Sequence, residues 1–464
     1  MEADEKVGAY VRVRRTVLRE SRRARARSPL LAQGLNVGLL AACNAGLAVV
    51  SAWYIVTRIG LNVETDAFFA SGALPQLVFL VLSATLLPVL TPLLATKDAE
   101  GVREDGWALF QLTMALFGVV GAVLYATCGV WAPLLVPGFA DEGKRLTVSL
   151  TRIQIVSMVL NAGIVTLWAA QHARRRFVWV EFSGVLANLA GLLFLVCTLP
   201  RFGVQAAAWN TVFFNGLKLT LLLPLLGRWR RPTRPSPTAR EAWRLLKPFL
   251  PWQACLRAEP LLDRFLASTK GAGSLSLLYV AQQIYANVII VTSKALVAPL
   301  APRLAVKADS ADWRGYRRVY RARLLLVALF AAAGASLLLA FGPRALRLGI
   351  GHAGVTTENV YTLWLVMLAL AGAFAGGVAG QLTSGAFYAM GDTRTPTKVS
   401  AVVYTFYLPL KIASFFGYGL IGLAGTMSAY FLINFLVQFV VLEGTLSRRL
   451  SGAVPAAGSL LAER

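Results

Sequence analysis

Apolar runs separated by short polar breaks fill almost the whole stretch from Leu30 to Leu442. A helix of about 20 mostly apolar residues crosses ~30 Å of hydrocarbon. Twelve runs answer to that length: 30–57, 66–95, 107–136, 146–171, 177–199, 203–226, 251–269, 273–301, 322–342, 359–389, 396–416 and 418–442. Hydrocarbon offers the backbone no hydrogen-bond partner, so each run is predicted to be a helix that satisfies its own peptide groups. The chain therefore reads as an all-α polytopic membrane protein. A polar segment rich in arginine and proline splits the runs six and six. It gives a basic arm (1–29), a first lobe (30–226), a basic linker (227–250), a second lobe (251–442) and a tail (443–464). Two six-helix lobes around a central cavity are expected of such a layout, in which the bundles rock about a shared site. The halves show no residue-by-residue repeat, so this symmetry rests on span count.

Charge changes the picture only once it is placed on that topology. The chain carries 46 Lys and Arg against 22 Asp and Glu, a formal net charge of +24, at a mean hydropathy of +0.62. With the arginine-rich arm in the cytoplasm, seven basic residues fall on the opposite side: Arg58, Lys144, Arg145, Arg201, Lys270, Arg344 and Arg347. Most of the rest line the cytoplasmic side. That asymmetry predicts both termini in the cytoplasm of a bacterial inner-membrane protein. The runs Arg12–Arg27, Arg174–Arg176 and Arg228–Arg231 then orient the protein and meet anionic lipid. No fold outside the membrane is left to bind nucleic acid. Arg14-Arg15 is followed by more arginines and no cleavage site, which argues against a cleaved export signal.

Classes of chemistry drop out in the same way. Cys43, Cys128, Cys197 and Cys255 are widely spaced in apolar runs, and His172 and His352 stand alone at membrane edges, so no metal or redox pattern forms. No phosphate-cradling loop is present, so no cofactor is expected. Work must come from an ion gradient, the membrane potential or the substrate gradient.

Ionisable side chains inside a bilayer cost roughly 2.5–3.5 kcal/mol on insertion scales and mark functional paths. Six basic groups lie more than three residues inside a span: Arg152, Lys218, Arg257, Arg264, Lys294 and Lys411. The seventh span is the densest, with Arg257, Glu259, Asp263 and Arg264 around Pro260. Arg257 and Arg264 are seven apart and are predicted to share one face of a kinked helix, while Glu259 and Asp263, four apart, share another. The expectation is a cationic cavity for an anionic head group. Arg257 and Arg264 lead, because the guanidinium fork suits phosphate, and Arg152, Lys218, Lys294 and Lys411 add charge. Glu259 and Asp263 are candidates for binding a coupling proton or sodium ion, or for neutralising lysines. Lys218, Lys294 and Glu181 lie near membrane edges where long side chains reach water. Asn36, Asn44, Gly72, Asn188, Gly376 and Gly377 allow close helix approach or line a cavity.

Two segments carry a family resemblance. Thr65-Asp66-Ala67-Phe68-Phe69 with Leu74-Pro75 opens the second span, and residues 386–398 (AFYAMGDTRTPTK) link the tenth to the eleventh. On local physics, Asp66 is placed to cap the second helix and Pro75 to kink it. Gly391-Asp392-Thr393 turns the chain, Pro396 suits the first turn of the next helix, and Arg394 and Lys398 reinforce its orientation. Together with Gly271–Ser276 and Gly422-Leu423-Ala424, these motifs resemble the MurJ/MviN-type lipid II flippases of the multidrug/oligosaccharidyl-lipid/polysaccharide (MOP) exporter superfamily, over about residues 30–442. The resemblance implies a flippase that moves a polyprenyl-pyrophosphate-linked sugar between leaflets by alternating access, with no covalent chemistry. It implies a polyprenyl-linked glycan lipid as substrate and cell-envelope glycan synthases as partners. The sequence departs from the family's charged pattern where Phe79, Leu80 and Ala84 follow the Leu-Pro, at about Ser51-Ala52, and at Gln282-Gln283. The two further carboxy-terminal helices of many members have no counterpart after Leu442. A related lipid-linked glycan, such as an exopolysaccharide precursor, therefore fits at least as well as lipid II. A MOP-type drug or cation antiporter, a scaffold derived from a flippase, and a membrane-embedded glycan-transferring enzyme are the competing readings. The last needs an acid or base at the outer face, where only His352 and Glu358 stand.

Overall fold

The computed structural model describes residues 29–174, 176–227, 237–247, 253–254, 257–297, 299–350 and 356–451. The arginines of the arm, the run Arg228–Arg231, Cys255 and His352 lie outside these residues. The described elements are all helical: α1 (Pro29–Ile59), α2 (Val63–Ser71), α3 (Ala73–Ala95), α4 (Ala99–Leu134), α5 (Asp141–Ala173), α6 (Phe177–Leu222), α7 (Pro237–Leu246), α8 (Glu259–Ser268), α9 (Ser274–Thr292), α10 (Leu300–Asp309), α11 (Trp313–Ile350), α12 (Thr357–Ala389) and α13 (Arg394–Leu450). A single 3-10 turn follows α6, and a π-helical turn, Ser293–Val297, follows α9.

Among the described residues, eight helices are long and apolar enough to cross a membrane. Two of them are far too long for one crossing. At 1.5 Å per residue, the 46 residues of α6 and the 57 of α13 would reach well beyond ~30 Å. Each folds back at one glycine instead: Gly203 (φ 54, ψ −142) in α6 and Gly419 (φ 58, ψ −134) in α13. Those angles suit a residue without a Cβ, so each helix becomes a hairpin of two spans with almost no loop. Counting both hairpins twice, and adding the broken second span (α2 and α3) and the seventh (α8), recovers the two six-span halves.

The halves meet asymmetrically. One apolar core contains residues of both, with Ile55, Val56, Phe68 and Phe69 packed with Leu266, Leu277 and Val280. Toward the other end each half keeps its own core. Leu90, Leu94, Trp107 and Leu222 form one, and Leu304, Tyr316, Tyr320 and Leu442 the other. Among the described residues, one ion pair crosses between the halves there, from Lys294 to Glu181 at 3.8 Å.

Inside the linker, α7 docks on the first half through Ala242 and Leu246. Thr238 Oγ1 donates to Asp105 (2.9 Å) and accepts from Lys97 (2.7 Å), and Lys97 itself pairs with Asp105. Arg240, Trp243 and Arg244 face outward. At the tenth-to-eleventh turn, Gly391 has φ 80, and Asp392 Oδ1 accepts from the backbone of Arg394 and Thr395, both at 3.0 Å. Partial burial raises the Asp392 carboxyl, but the bonds from Thr395 and Arg394 outweigh it and hold the group below the usual carboxylate range. Pro396 is buried at the third position of α13 and Arg394 is exposed at the first.

Two expectations change here. Asp66 does not cap its own helix. Asn62 does so, accepting from Glu64 and Thr65 in a capping box. Asp66 is fully buried and reaches across to the start of α9, where it accepts from Gly273 N (2.6 Å), Ser276 N (2.7 Å) and Ser276 Oγ (2.5 Å). An anion at a helix N-terminus satisfies its open N–H groups and its dipole. Gly273 (φ 85) is also required, because a Cβ there would lie 2.8 Å from Leu61 O. The break in the second span falls at Gly72, ahead of Pro75, which occupies the first turn of α3, where no N–H is needed.

Candidate functional site

Between the halves lies a cavity of about 460 Å³, walled by α1, α2, α3, α5, α6 and α9, with one residue from α8. That residue is Arg264, the one charged side chain in its lining among the described residues. Arg264 is 8% exposed, and its guanidinium sits over the Tyr279 ring, 5.6 Å from the centroid. Phe69 stacks with the same tyrosine at 4.2 Å and 25°. Gln283 Nε2 donates to the Tyr279 hydroxyl at 2.7 Å. Cation–π contact holds a guanidinium without using its N–H donors, so the fork remains available. No carboxylate among the described residues forms an ion pair with it, and Asp263, its neighbour in sequence, turns elsewhere.

Asp263 turns toward Lys411. The ammonium lies 2.6 Å from Asp263 Oδ1 and 2.7 Å from Glu259 Oε1 and is completely buried. Gln282 Nε2 donates to Asp263 at 2.7 Å, and the Tyr407 hydroxyl donates to Glu259. The two carboxylates do share a face, as their four-residue spacing predicts, and that face meets α13 instead of the cavity. A buried ammonium between two carboxylates is neutralised locally and does not add to the cavity's charge.

The other expected cations disperse. Arg257 is exposed and outside the cavity lining. α8 begins at Glu259, with Pro260 in its first turn, and Ala258 before it keeps right-handed angles (φ −77, ψ −17). Of the two arginines only Arg264 reaches the cavity. Arg152 is exposed on the flank of the bundle, its guanidinium 5.3 Å from the Tyr125 ring. Lys218 is buried one turn beyond the cavity, over Trp168 (4.4 Å) and Phe214 (5.4 Å). Lys294 is spent on Glu181. The expected cationic cavity is thus a cavity with one cation.

Uncharged polar residues fill the remainder, and the search for charges passes over most of them. Gln154, Ser157, Met158 and Asn161 line the cavity from α5, spaced i, i+3, i+4, i+7, the period of a single helix face. Asn188, Asn210, Thr211 and Asn215 come from α6, Gln76 from α3, and Gln283 and Asn287 from α9. Ser51, Ala52, Phe79 and Gln283, where the sequence departs from the family's charged pattern, all face this cavity.

A family profile described as lipid II flippase MurJ matches residues 55–454. Comparison by sequence with curated proteins finds no match. Among solved structures, the chain is similar to a lipid II flippase MurJ in an inward-closed conformation. The TM-score is 0.72 at 15% identity, covering 88% of this chain and 87% of that one. It is also similar to an inward-facing multidrug-resistance MATE transporter of the MOP superfamily, with TM-score 0.70 and 14% identity over 89% and 96% of the two chains. A point mutant of the Vibrio cholerae MATE transporter VcmN gives 0.62 and 13%, over 90% and 98%. At these identities the likeness is one of fold: two helical lobes around a central cavity.

Proposed function

Because the chain belongs to the MurJ lipid II flippase family, we propose that it moves a polyprenyl-diphosphate-linked saccharide from the inner to the outer leaflet of a bacterial cytoplasmic membrane by alternating access. The observation that carries this reading is Arg264, a buried guanidinium facing the cavity with no carboxylate among the described residues paired to it. A phosphate oxygen pair is the natural complement of that fork. The diphosphate engages Arg264, the sugar occupies the cavity, and the lipid tail stays in the bilayer.

The basic segments assign both termini to the cytoplasm. In that orientation the shared apolar core and the Asp66 contact close the outer side, and the separated ends of the halves face inward. Arg240, Trp243 and Arg244 on the outward side of α7 suit contact with anionic lipid. With Lys411 between them, Glu259 and Asp263 leave one negative charge in excess. We assign coupling to a proton or sodium ion to this cluster. Glu259→Gln and Asp263→Asn should change the dependence of transport on pH, sodium or membrane potential, and unchanged dependence in both would make the cluster structural. Glycan synthases that make and use the lipid are the expected partners. A drug antiporter for cationic ligands would favour acids beside the aromatic residues of the lining, and the one charge there among the described residues is positive.

The test is reconstitution into liposomes with a fluorescent polyprenyl-diphosphate saccharide. Wild type should expose it on the opposite leaflet. Arg264→Ala should not, while inserting and purifying like wild type. Normal transport by Arg264→Ala would remove this reading. Failure of wild type with every lipid would favour the scaffold. Rescue of a bacterium depleted of its lipid II flippase then asks whether lipid II itself is carried.

A further inference from the structure

The chemistry of the cavity wall points to a narrower substrate than the family name. Eight carboxamides face the cavity: six from α3, α5 and α6, and Gln283 and Asn287 from α9. Several are braced by neighbours, so that one end of the amide is fixed and the other turned to the ligand. Gln154 Oε1 lies 3.0 Å from Thr211 Oγ1, whose single proton it shares with Ala208 O at 2.7 Å. Asn215 Nδ2 donates to Ser157 Oγ at 2.7 Å and Asn287 Nδ2 to the Gln283 carbonyl at 2.8 Å, which leaves both amide oxygens as acceptors. Asn210 Oδ1 is buried with no partner among the described residues.

Such a wall offers both donors and acceptors and carries no charge. Sugar hydroxyls have the same dual character, so each can pair in either sense. Trp53, Phe79 and Tyr279 supply apolar surface for the C–H faces of a sugar ring. The counter-charge for anions is a single guanidinium. Every carboxylate beyond the one anionic group held by Arg264 would enter a cavity whose lining, among the described residues, offers no second cation to neutralise it. The volume, about 460 Å³, lies within the roughly 300–1,000 Å³ of small-ligand sites.

We infer that this cavity selects an uncharged saccharide joined to one phosphate or diphosphate, and rejects heads that carry further carboxylates, such as uronate-containing glycans or the peptide-bearing head of lipid II. The inference rests on the flippase reading above. It is carried by the eight amides and by the lack of a second cation in the lining among the described residues, neither of which that reading requires.

The experiment compares three fluorescent polyprenyl diphosphates in liposomes containing the purified full chain: one with a neutral disaccharide, one with the same disaccharide oxidised to a uronate, and lipid II. The neutral lipid should cross at least tenfold faster than either acidic one. Equal rates, or faster transport of an acidic lipid, would overturn the inference and leave the flippase reading intact. Absence of transport for all three would overturn both. Two variants sharpen the result. Asn161→Ala should slow the neutral lipid about three- to tenfold, the value of one hydrogen bond, relative to sugar-free polyprenyl diphosphate measured alongside. Phe79→Arg should raise the ratio of acidic to neutral transport, a ratio that expression level does not move. If neither variant alters its ratio, the wall does not read the sugar.

Discussion

Two buried cations in the second half, Lys411 and Arg264, live under opposite rules. Lys411 lies between Glu259 and Asp263, with Tyr407 and Gln282 satisfying the same carboxylates. Arg264 has an aromatic ring beneath it and an open cavity in front. The first arrangement closes on itself and holds α8 to α13. The second is satisfied only when something else arrives. Being charged and buried does not by itself single out a substrate contact; what singles out Arg264 for the proposed role is that no carboxylate among the described residues pairs with it.

The largest effect should come from breaking the closed member of the pair. Lys411→Met leaves two carboxylates buried without their counter-ion, at a cost of about 3–5 kcal/mol. We expect a clear loss of folded protein in detergent thermal denaturation, mostly recovered when Glu259→Gln and Asp263→Asn are added. Breaking the open member should cost function and not fold. Arg264→Ala is expected to lower transport about 10- to 100-fold, matching the 1.5–3 kcal/mol of a hydrogen bond to a charged group, with an unchanged melting curve. Arg264→Lys should fall between, having the charge without the fork. Removing the Asp66 cap is worth about 0.5–2 kcal/mol. Asp66→Ala should lengthen the distance between spin labels on the 60–62 and 270–272 turns. The smallest effect is expected at Glu181. Its half-exposed pair with Lys294 is worth about 0–1 kcal/mol, so Glu181→Gln should change transport less than twofold.

The spans were legible because each must satisfy its backbone in lipid, which leaves a long apolar run as a trace. The Glu259–Asp263 face was legible from its four-residue spacing. Asp66 was not, since a carboxylate before a helix reads as a local cap, and its real partners lie more than 200 residues away. Arg264 reaches the cavity as its placement in an apolar run suggests, whereas Arg257 does not, because spacing alone cannot tell which turn of the helix lies at cavity depth. Most of the cavity wall, Gly72 and Asn188 aside, went unread for a different reason. Charges stand out in an apolar run, while Asn and Gln do not, although Gln154, Ser157 and Asn161 already lie on one helix face. A trace of the internal repeat was also available. Gly203-Val204 and Gly419-Leu420 open matching stretches in which the glycine turns and Ala207-Ala208 or Leu423-Ala424 are buried.

The contact between Asp66 and α9 has a kinetic consequence. Its three donors converge on one carboxylate, and two of them are main-chain N–H groups that no side-chain replacement can delete. A seal built this way cannot be loosened strand by strand like a zip. Once that carboxylate leaves, all three bonds are lost together, so the clasp between these turns is held or released in a single step, and half-open forms of it should be too short-lived to trap.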